Sequence, residues 1–109
     1  MDKITQPLER YLQLAHQSAL LVSQADRANL NVLLTLLGPI DKDIIDAYYG
    51  LFGTPQASED QLAAKYRITV EAIREIIVKD LRRLSITPEW QMMLRQLSPM
   101  VRRRIMPKE

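Results

Sequence analysis

Residues 58–85 read SEDQLAAKYRITVEAIREIIVKDLRRLS and hold the strongest helix signals in the chain. Ser58, with Gln61 three positions later, predicts a capping box at the start of a short helix. Thr69 suits the N-cap of a second, longer helix whose apolar residues recur at helical spacing. We therefore expect helices near residues 59–66 and 70–84, joined by a turn and packed across one another. Two short amphipathic helices connected in this way indicate a helix-turn-helix.

The second predicted helix has distinct inner and outer faces. Its apolar stripe is formed by Val70, Ile73, Ile76, Ile77, Leu81 and Leu84. At 100° per residue, the opposite face carries Glu71, Glu75, Val78, Lys79 and Arg82, with Arg74 at its edge. Asp80 falls on the inner side, where an unpaired carboxylate is costly. We therefore expect Asp80 either at the exposed edge of the domain or paired with a base such as Arg83.

Several short motifs of this region occur together in one known family. They are Tyr49-Gly50-Leu51, Ser58 to Ala63, Ile68-Thr69, Glu71, Ile73, Arg74, Ile76 and Lys79-Asp80-Leu81-Arg82-Arg83-Leu84. With residues 36–51 included, this combination resembles region four of bacterial primary-type sigma factors, which reads the upstream promoter element. The resemblance covers roughly half of the chain and is more specific than a general helix-turn-helix pattern. It implies a small stand-alone bacterial protein that binds DNA and regulates transcription.

The chain departs from the family pattern at positions that matter for promoter reading. Val70 and Ala72 stand where promoter-reading members carry arginines, and Glu75 replaces a glutamine. Asp80 replaces a small apolar residue. The fold tolerates these changes, whereas promoter specificity depends on the replaced side chains.

The resemblance and the helical geometry together predict which side chains touch DNA. The N-terminal residues of the second helix reach base edges in the major groove, so the base-contact candidates are Glu71, Arg74 and Glu75. The phosphate-contact candidates are Lys65, Arg67, Lys79, Arg82 and Arg83. The two glutamates, however, would be repelled by phosphate. They leave a second hypothesis open, in which the same fold binds RNA polymerase, a sigma factor or a second copy of itself.

Charge is distributed unevenly along the chain. Residues 1–60 hold eight acidic and four basic residues, a net charge of −4, whereas residues 61–109 hold eleven basic and five acidic residues, a net charge of +6. This asymmetry favours nucleic acid or another anionic partner for the second half. The run Arg102-Arg103-Arg104 is consistent with a solubilising tail and equally with a contact to phosphate or polymerase.

The remaining segments also predict helices, and the fold class is all-α. We expect a helix over residues 6–24, a second capped by Asp26 and stopped by Gly38, and a third that starts at Pro39 with Asp41 as its cap. Thr87 and Ser98, each followed by proline, mark two further helix starts. The predicted fold is a small helical domain of five to six helices containing a winged-helix-like or sigma-region-four-like helix-turn-helix.

The predicted helices group into three segments along the chain. Residues 1–38 form a helical pair that either completes the core or makes a dimer seam. Residues 39–86 contain the helix-turn-helix, and residues 87–109 form a basic helical extension. The chain has no cysteine, no apolar run of the roughly 20 residues that span a bilayer, and no signal-peptide pattern. We therefore expect a cytoplasmic protein that does not enter membranes.

Catalytic and metal chemistry find no support in the sequence. His16 is the only histidine and has no nucleophile or carboxylate at a meaningful spacing. Three glycines form no phosphate-binding loop. Asp41, Asp43 and Asp46 have the character of helix-start acids rather than metal ligands. We expect no enzymatic activity, no cofactor and no bound metal.

Overall fold

A computed structural model describes residues 2–106, and this part of the chain contains seven α-helices and no strand. The helices are α1 (Gln6–Gln17), α2 (Gln24–Leu34), α3 (Pro39–Tyr49), α4 (Glu59–Tyr66), α5 (Val70–Ser85), α6 (Pro88–Gln96) and α7 (Pro99–Ile105), with a 3-10 turn at Thr35–Leu37. The all-α class is confirmed. Within residues 2–106 no helix has the length and apolar character needed to cross a membrane.

The predicted start signals of α4 and α5 are confirmed. Ser58 Oγ accepts a hydrogen bond from Gln61 N at 3.1 Å, and Gln61 Oε1 accepts one from Ser58 N at 2.8 Å, which completes the capping box. Arg67 ends α4 in the left-handed region, with φ 57°. Thr69 Oγ1 then accepts from Ala72 N at 3.0 Å and starts α5. The connection between the two helices is therefore only three residues long.

Helix α5 lies at the centre of the molecule and packs against α1, α3, α4 and α6. Ile73, Ile77, Leu81 and Leu84 are all buried, as the stripe predicts, while Val70 and Ile76 are half-buried. The same apolar cluster includes Leu8 and Leu12 from α1, Leu30 from α2 and Trp90 from α6. Burying this many large side chains against one helix fixes how α5 is rotated and which of its faces meets water.

Two predictions about the N-terminal helices are wrong. Helix α1 ends at Gln17 rather than near residue 24, because Ser18 adopts an extended backbone and its Oγ accepts from Leu21 N at 3.2 Å. This local bond competes with continuation of the helix. Ser23, not Asp26, caps α2, since Ser23 Oγ accepts from Asp26 N at 3.1 Å. Asp26 thus lies in the first turn.

The start of α3 and the number of helices also differ from the prediction. Gly38, with φ 85°, occupies the N-cap of α3, so Asp41 lies inside the first turn. Residues 2–106 contain seven helices rather than the expected five to six, because the segment after Ser98 forms a helix of seven residues, α7, rather than a single turn. Leu97 is extended, and Pro99, which has no N–H to donate, begins α7 after the cap residue Ser98.

Asp80 is the clearest departure from the prediction. It is only 1% exposed, and its Oδ2 has no hydrogen-bond partner among residues 2–106, so it is neither at an exposed edge nor paired with Arg83. Burial raises the pKa of Asp80 to about 7, and the nearby carboxyl of Asp41 adds to the rise through its negative charge. The charges of Arg83 and Lys79 oppose this rise only weakly.

Candidate nucleic-acid interface

The outer face of α5 forms one exposed surface. All three base-contact candidates and the phosphate-contact candidates of this helix are exposed: Glu71, Arg74, Glu75, Lys79, Arg82 and Arg83. Val78, in the middle of the face, is 47% exposed. The burial of Ile73 and Leu84 on the opposite side holds this face toward solvent. All six candidates are therefore solvent-exposed on α5. Arg74 and Arg83, nine residues apart, lie on opposite edges of the exposed side.

Charge changes sign along this surface. The N-terminal half of the face carries Glu71 and Glu75, and the C-terminal half carries Lys79, Arg82 and Arg83. The rise of 1.5 Å per residue separates Glu71 from Arg82 by about 16 Å along the axis. An anionic partner is thus attracted to one end of α5 and repelled from the other.

Arg74 is tied to the preceding helix. Its Nε donates to Glu59 Oε2 at 2.9 Å, and Glu59 lies in the first turn of α4. The bond to Glu59 raises the pKa of Arg74. Only Nε takes part, so both terminal amino groups of the guanidinium remain available. Glu59 therefore orients the arginine rather than consuming all of its donors.

Lys65, in the last turn of α4, also forms an ion pair with a carboxylate of another helix. Its Nζ lies 2.9 Å from Asp43 Oδ2 on α3, and the Tyr66 hydroxyl donates to the same oxygen. The hydrogen bond from Tyr66, and then that from Lys65, lowers the pKa of Asp43. Lys65 is thus partly neutralised, whereas sequence reasoning treated it as an unpaired phosphate contact.

The basic residues at the end of α5 have no such partners. Among residues 2–106, Lys79, Arg82 and Arg83 form no ion pair and donate no side-chain hydrogen bond, and the same holds for Arg67 in the turn. Arg82 influences the acid Asp2, whose pKa is lowered mainly by the hydrogen bonds of Thr5 and also by the charge of Arg82, but the side chains of Asp2 and Arg82 form no ion pair. The side chains of these four candidates are therefore available to an external anion.

The two anchoring carboxylates, Glu59 and Asp43, are residues that sequence reasoning missed. Glu59 is fifteen positions from Arg74, and Asp43 is twenty-two positions from Lys65. Side-chain pairs on one helix follow spacings of three or four residues, but no periodicity links separate helices. Only the packing of α3, α4 and α5 brings these groups together.

His16 contacts the backbone at the end of α3. Its Nδ1 lies 3.0 Å from the Gly50 carbonyl oxygen, just past the end of α3. Gly50 has φ 64°, and a Cβ at this position would lie 2.7 Å from His16 Nδ1, so the contact requires glycine. Within the described range, no group of three or more histidine or carboxylate side chains is arranged to hold a metal ion.

Comparison with known proteins identifies no relative of the chain. No family model, no curated protein and no solved structure matches the chain.

Proposed function

We propose that this protein is a cytoplasmic, DNA-binding regulator of transcription whose α4 and α5 act as a sigma-region-four-like helix-turn-helix. The observation that carries the proposal is the exposed outer face of α5, which ends in Lys79, Arg82 and Arg83 without ionic partners among residues 2–106. In this arrangement α5 enters the major groove and α4 crosses the backbone beside it.

Base reading is assigned to the N-terminal half of α5. Arg74 offers its two terminal amino groups to O6 and N7 of a guanine, while Glu59 holds Nε. Glu71 and Glu75, exposed on the same half, accept from the amino group of a cytosine. The bases recognised in this arrangement are therefore guanine and cytosine. They are read from residues 71, 74 and 75, whereas the sigma-factor family uses arginines at the positions of Val70 and Ala72.

Backbone contact is assigned to the C-terminal half of α5 and to the turn. Lys79, Arg82 and Arg83 contact phosphates on one side of the groove, and Arg67 contacts them at the turn. Lys65 contributes less than these because Asp43 accepts its hydrogen bond. These contacts position the helix and supply most of the affinity, whereas discrimination comes from the base edges.

A second candidate function has its own observation. Glu71 and Glu75 are exposed at the leading end of α5, and Glu59 and Asp60 lie in the first turn of α4. Four carboxylates oppose close approach to phosphates and favour a basic protein surface. The alternative is therefore an interaction module that binds RNA polymerase, a sigma subunit or a second copy of this chain through the same face.

Binding to a mixed-sequence duplex, followed by fluorescence anisotropy at low salt, tests the proposal. DNA binding predicts saturable binding that weakens steeply as salt rises, because counterions are released from the phosphates. If no duplex binds at low salt while immobilised RNA polymerase or a sigma subunit retains the protein, the interaction module replaces the DNA-binding function.

A further inference from the structure

The corner between α6 and α7 forms an open surface cavity lined partly by arginines. Helix α6 ends at Gln96, and Ser98 Oγ accepts from Val101 N at 3.3 Å to start α7 immediately afterwards. The corner leaves an open cavity of about 490 Å³ between the two helices. The residues that line it are Arg95, Leu97, Pro99, Arg102, Arg103 and Met106.

The packing of α7 holds two of these arginines at the cavity. Residues 99, 102, 103 and 106 follow the i, i+3, i+4, i+7 spacing, so they share one side of the helix. Val101 and Ile105 on another side are 4% and 1% exposed, and α7 packs against α1. Because these two apolar anchors fix the rotation of α7, the backbone positions of Arg102 and Arg103 stay on the side of the cavity.

No carboxylate balances this cluster within residues 2–106. Arg95, Arg102 and Arg103 form no ion pair there, and no acidic side chain lines the cavity. The only acid of residues 88–106, Glu89, lies in the first turn of α6 and lines a different cavity. Three residues of like charge line one open cavity, and together they attract an anion.

We infer that this cavity binds phosphate, and that its occupant in the working complex is the phosphodiester backbone of duplex DNA. Guanidinium groups match phosphate oxygens in two-point hydrogen bonds, and all three basic residues here are arginine. Leu97, Pro99 and Met106 form the apolar part of the cavity wall, against which the aliphatic stems of the arginines can lie. The choice of duplex DNA rests on the proposed function, and the charge of +6 over residues 61–109 favours it.

Arg104 supplies a matched control for the test. It is exposed on the same helix but lines another cavity, with Arg10, Gln13 and Gln17 of α1. Arg103→Gln and Arg104→Gln therefore remove the same charge from adjacent positions. Neither side chain is paired among residues 2–106, so both variants should keep the thermal unfolding temperature of the parent.

The measurement is duplex affinity of the full chain as a function of salt. Arg103→Gln should flatten the slope of log K against log salt by about 0.9, the value for one lost phosphate contact, and Arg102→Gln with Arg103→Gln by about twice that. Arg104→Gln should leave the slope unchanged. Equal effects of Arg103→Gln and Arg104→Gln would show a diffuse charge effect and overturn the inference. Binding to anionic phosphatidylserine vesicles that depends on Arg103, combined with a duplex affinity that does not depend on Arg103, would also overturn it.

Two further arms separate this inference from the proposed function. If Arg82→Ala with Arg83→Ala weakens duplex binding while Arg103→Gln does not, the cavity assignment fails and the proposed function stands. If the parent binds no duplex, the proposed function and the duplex occupant both fail. Titration with inorganic phosphate, followed by NMR of the arginine Nε–H groups, then tests whether the cavity binds phosphate on its own. Shifts confined to Arg95, Arg102 and Arg103 support a phosphate site, and equal shifts at Arg104 or none overturn it.

Discussion

Arg74 Nε lies 2.9 Å from Glu59 Oε2, and this bond joins the leading end of α5 to the first turn of α4. A carboxylate that holds Nε restricts the long arginine side chain and directs its terminal amino groups outward. In the proposed complex, this restriction lowers the entropy that must be lost when Arg74 meets a guanine. Glu59 is then a positioning residue, although its charge repels phosphate.

Replacing Glu59 by glutamine should separate these two effects. The selected site is the duplex that the parent protein binds best when presented with a random-sequence library. We expect Glu59→Gln to strengthen binding to random duplex, because one repulsive charge is lost, and to reduce the preference for the selected site several-fold. Asp60→Gln, which removes a neighbouring charge without a bond to Arg74, should strengthen both kinds of binding equally. Competition anisotropy with a selected site and a scrambled duplex measures the ratio. An unchanged ratio in Glu59→Gln would show that the bond does not position Arg74 for reading.

The end of α5 should govern affinity without governing selectivity. Replacing Arg82 and Arg83 by alanine should weaken all duplexes about equally and flatten the salt slope by roughly one unit for each lost phosphate contact. Arg74→Ala should instead weaken the selected site more than random duplex, since a good base contact discriminates by about 1–3 kcal/mol. Titrations of both variants on both duplexes at several salt concentrations test this division. The reverse pattern would mean that α5 is docked in the opposite direction.

The two exposed glutamates distinguish DNA binding from protein contact. If they face DNA as proposed, Glu71→Gln with Glu75→Gln should bind random duplex more tightly, because phosphate repulsion is lost, and should lose selectivity, because the carboxylates no longer accept from cytosine. If they contact a basic protein surface, the same variant should lose retention on polymerase or a sigma subunit, while its duplex affinity stays low. Both assays should be run on one protein preparation. A variant identical to the parent in both would remove these glutamates from either interface.

The rotation of α5 can be tested by its stability. Ile73 is fully buried, so Ile73→Asp places an unpaired charge in the core and should lower the free energy of unfolding by about 4 kcal/mol or more. Val78→Asp introduces the same group on the exposed face and should change it by no more than about 0.5 kcal/mol. Urea unfolding followed by circular dichroism at 222 nm gives both values. Similar losses for the two variants would contradict the assigned faces.

Local signals in the sequence predicted most of the helix starts, for a physical reason. A cap is made by one side chain and a backbone N–H two or three residues away, so Ser58, Thr69, Thr87 and Ser98 could all be assigned correctly without tertiary information. The end of α1 was missed because the bond from Leu21 N to Ser18 Oγ competes with a helix that the apolar pattern alone would continue.

The candidate surface was predicted less completely than the helices. Which residues of α5 face outward follows from helical periodicity, and Glu71, Arg74 and Lys79 are all exposed as expected. The electrostatic state of these residues depends on neighbours from other helices. Neither the bond that Arg74 donates to Glu59 nor the bond that Lys65 donates to Asp43 can be predicted from residue spacing, because each depends on how separate helices pack.

Asp80 provides a prediction about pH. Its carboxyl is buried beside Asp41, and its pKa in the folded protein is raised from 3.8 to about 7. The folded state therefore holds this proton more tightly than the unfolded chain does. The stability that goes with the protonated Asp80 carboxyl is fully present below about pH 4 and is lost as the pH rises toward 7. Above that range, folding must accommodate a buried negative charge.

Asp80→Asn should remove this cost, because an amide has nearly the shape of the protonated acid and never ionises. At about 1.4 kcal/mol per pKa unit, the raised pKa corresponds to a few kcal/mol, so we expect the variant to be more stable than the parent by about 2 kcal/mol or more at pH 8. Near pH 4 the two proteins should be about equally stable. Asp60→Asn, at an exposed position, is the control and should match the parent at both pH values. Urea unfolding at pH 4, 6 and 8 measures the difference. A constant offset between Asp80→Asn and the parent across that range would show that the carboxyl does not change its protonation there, and that Asp80 is held as a buried charge by Arg83 and Lys79.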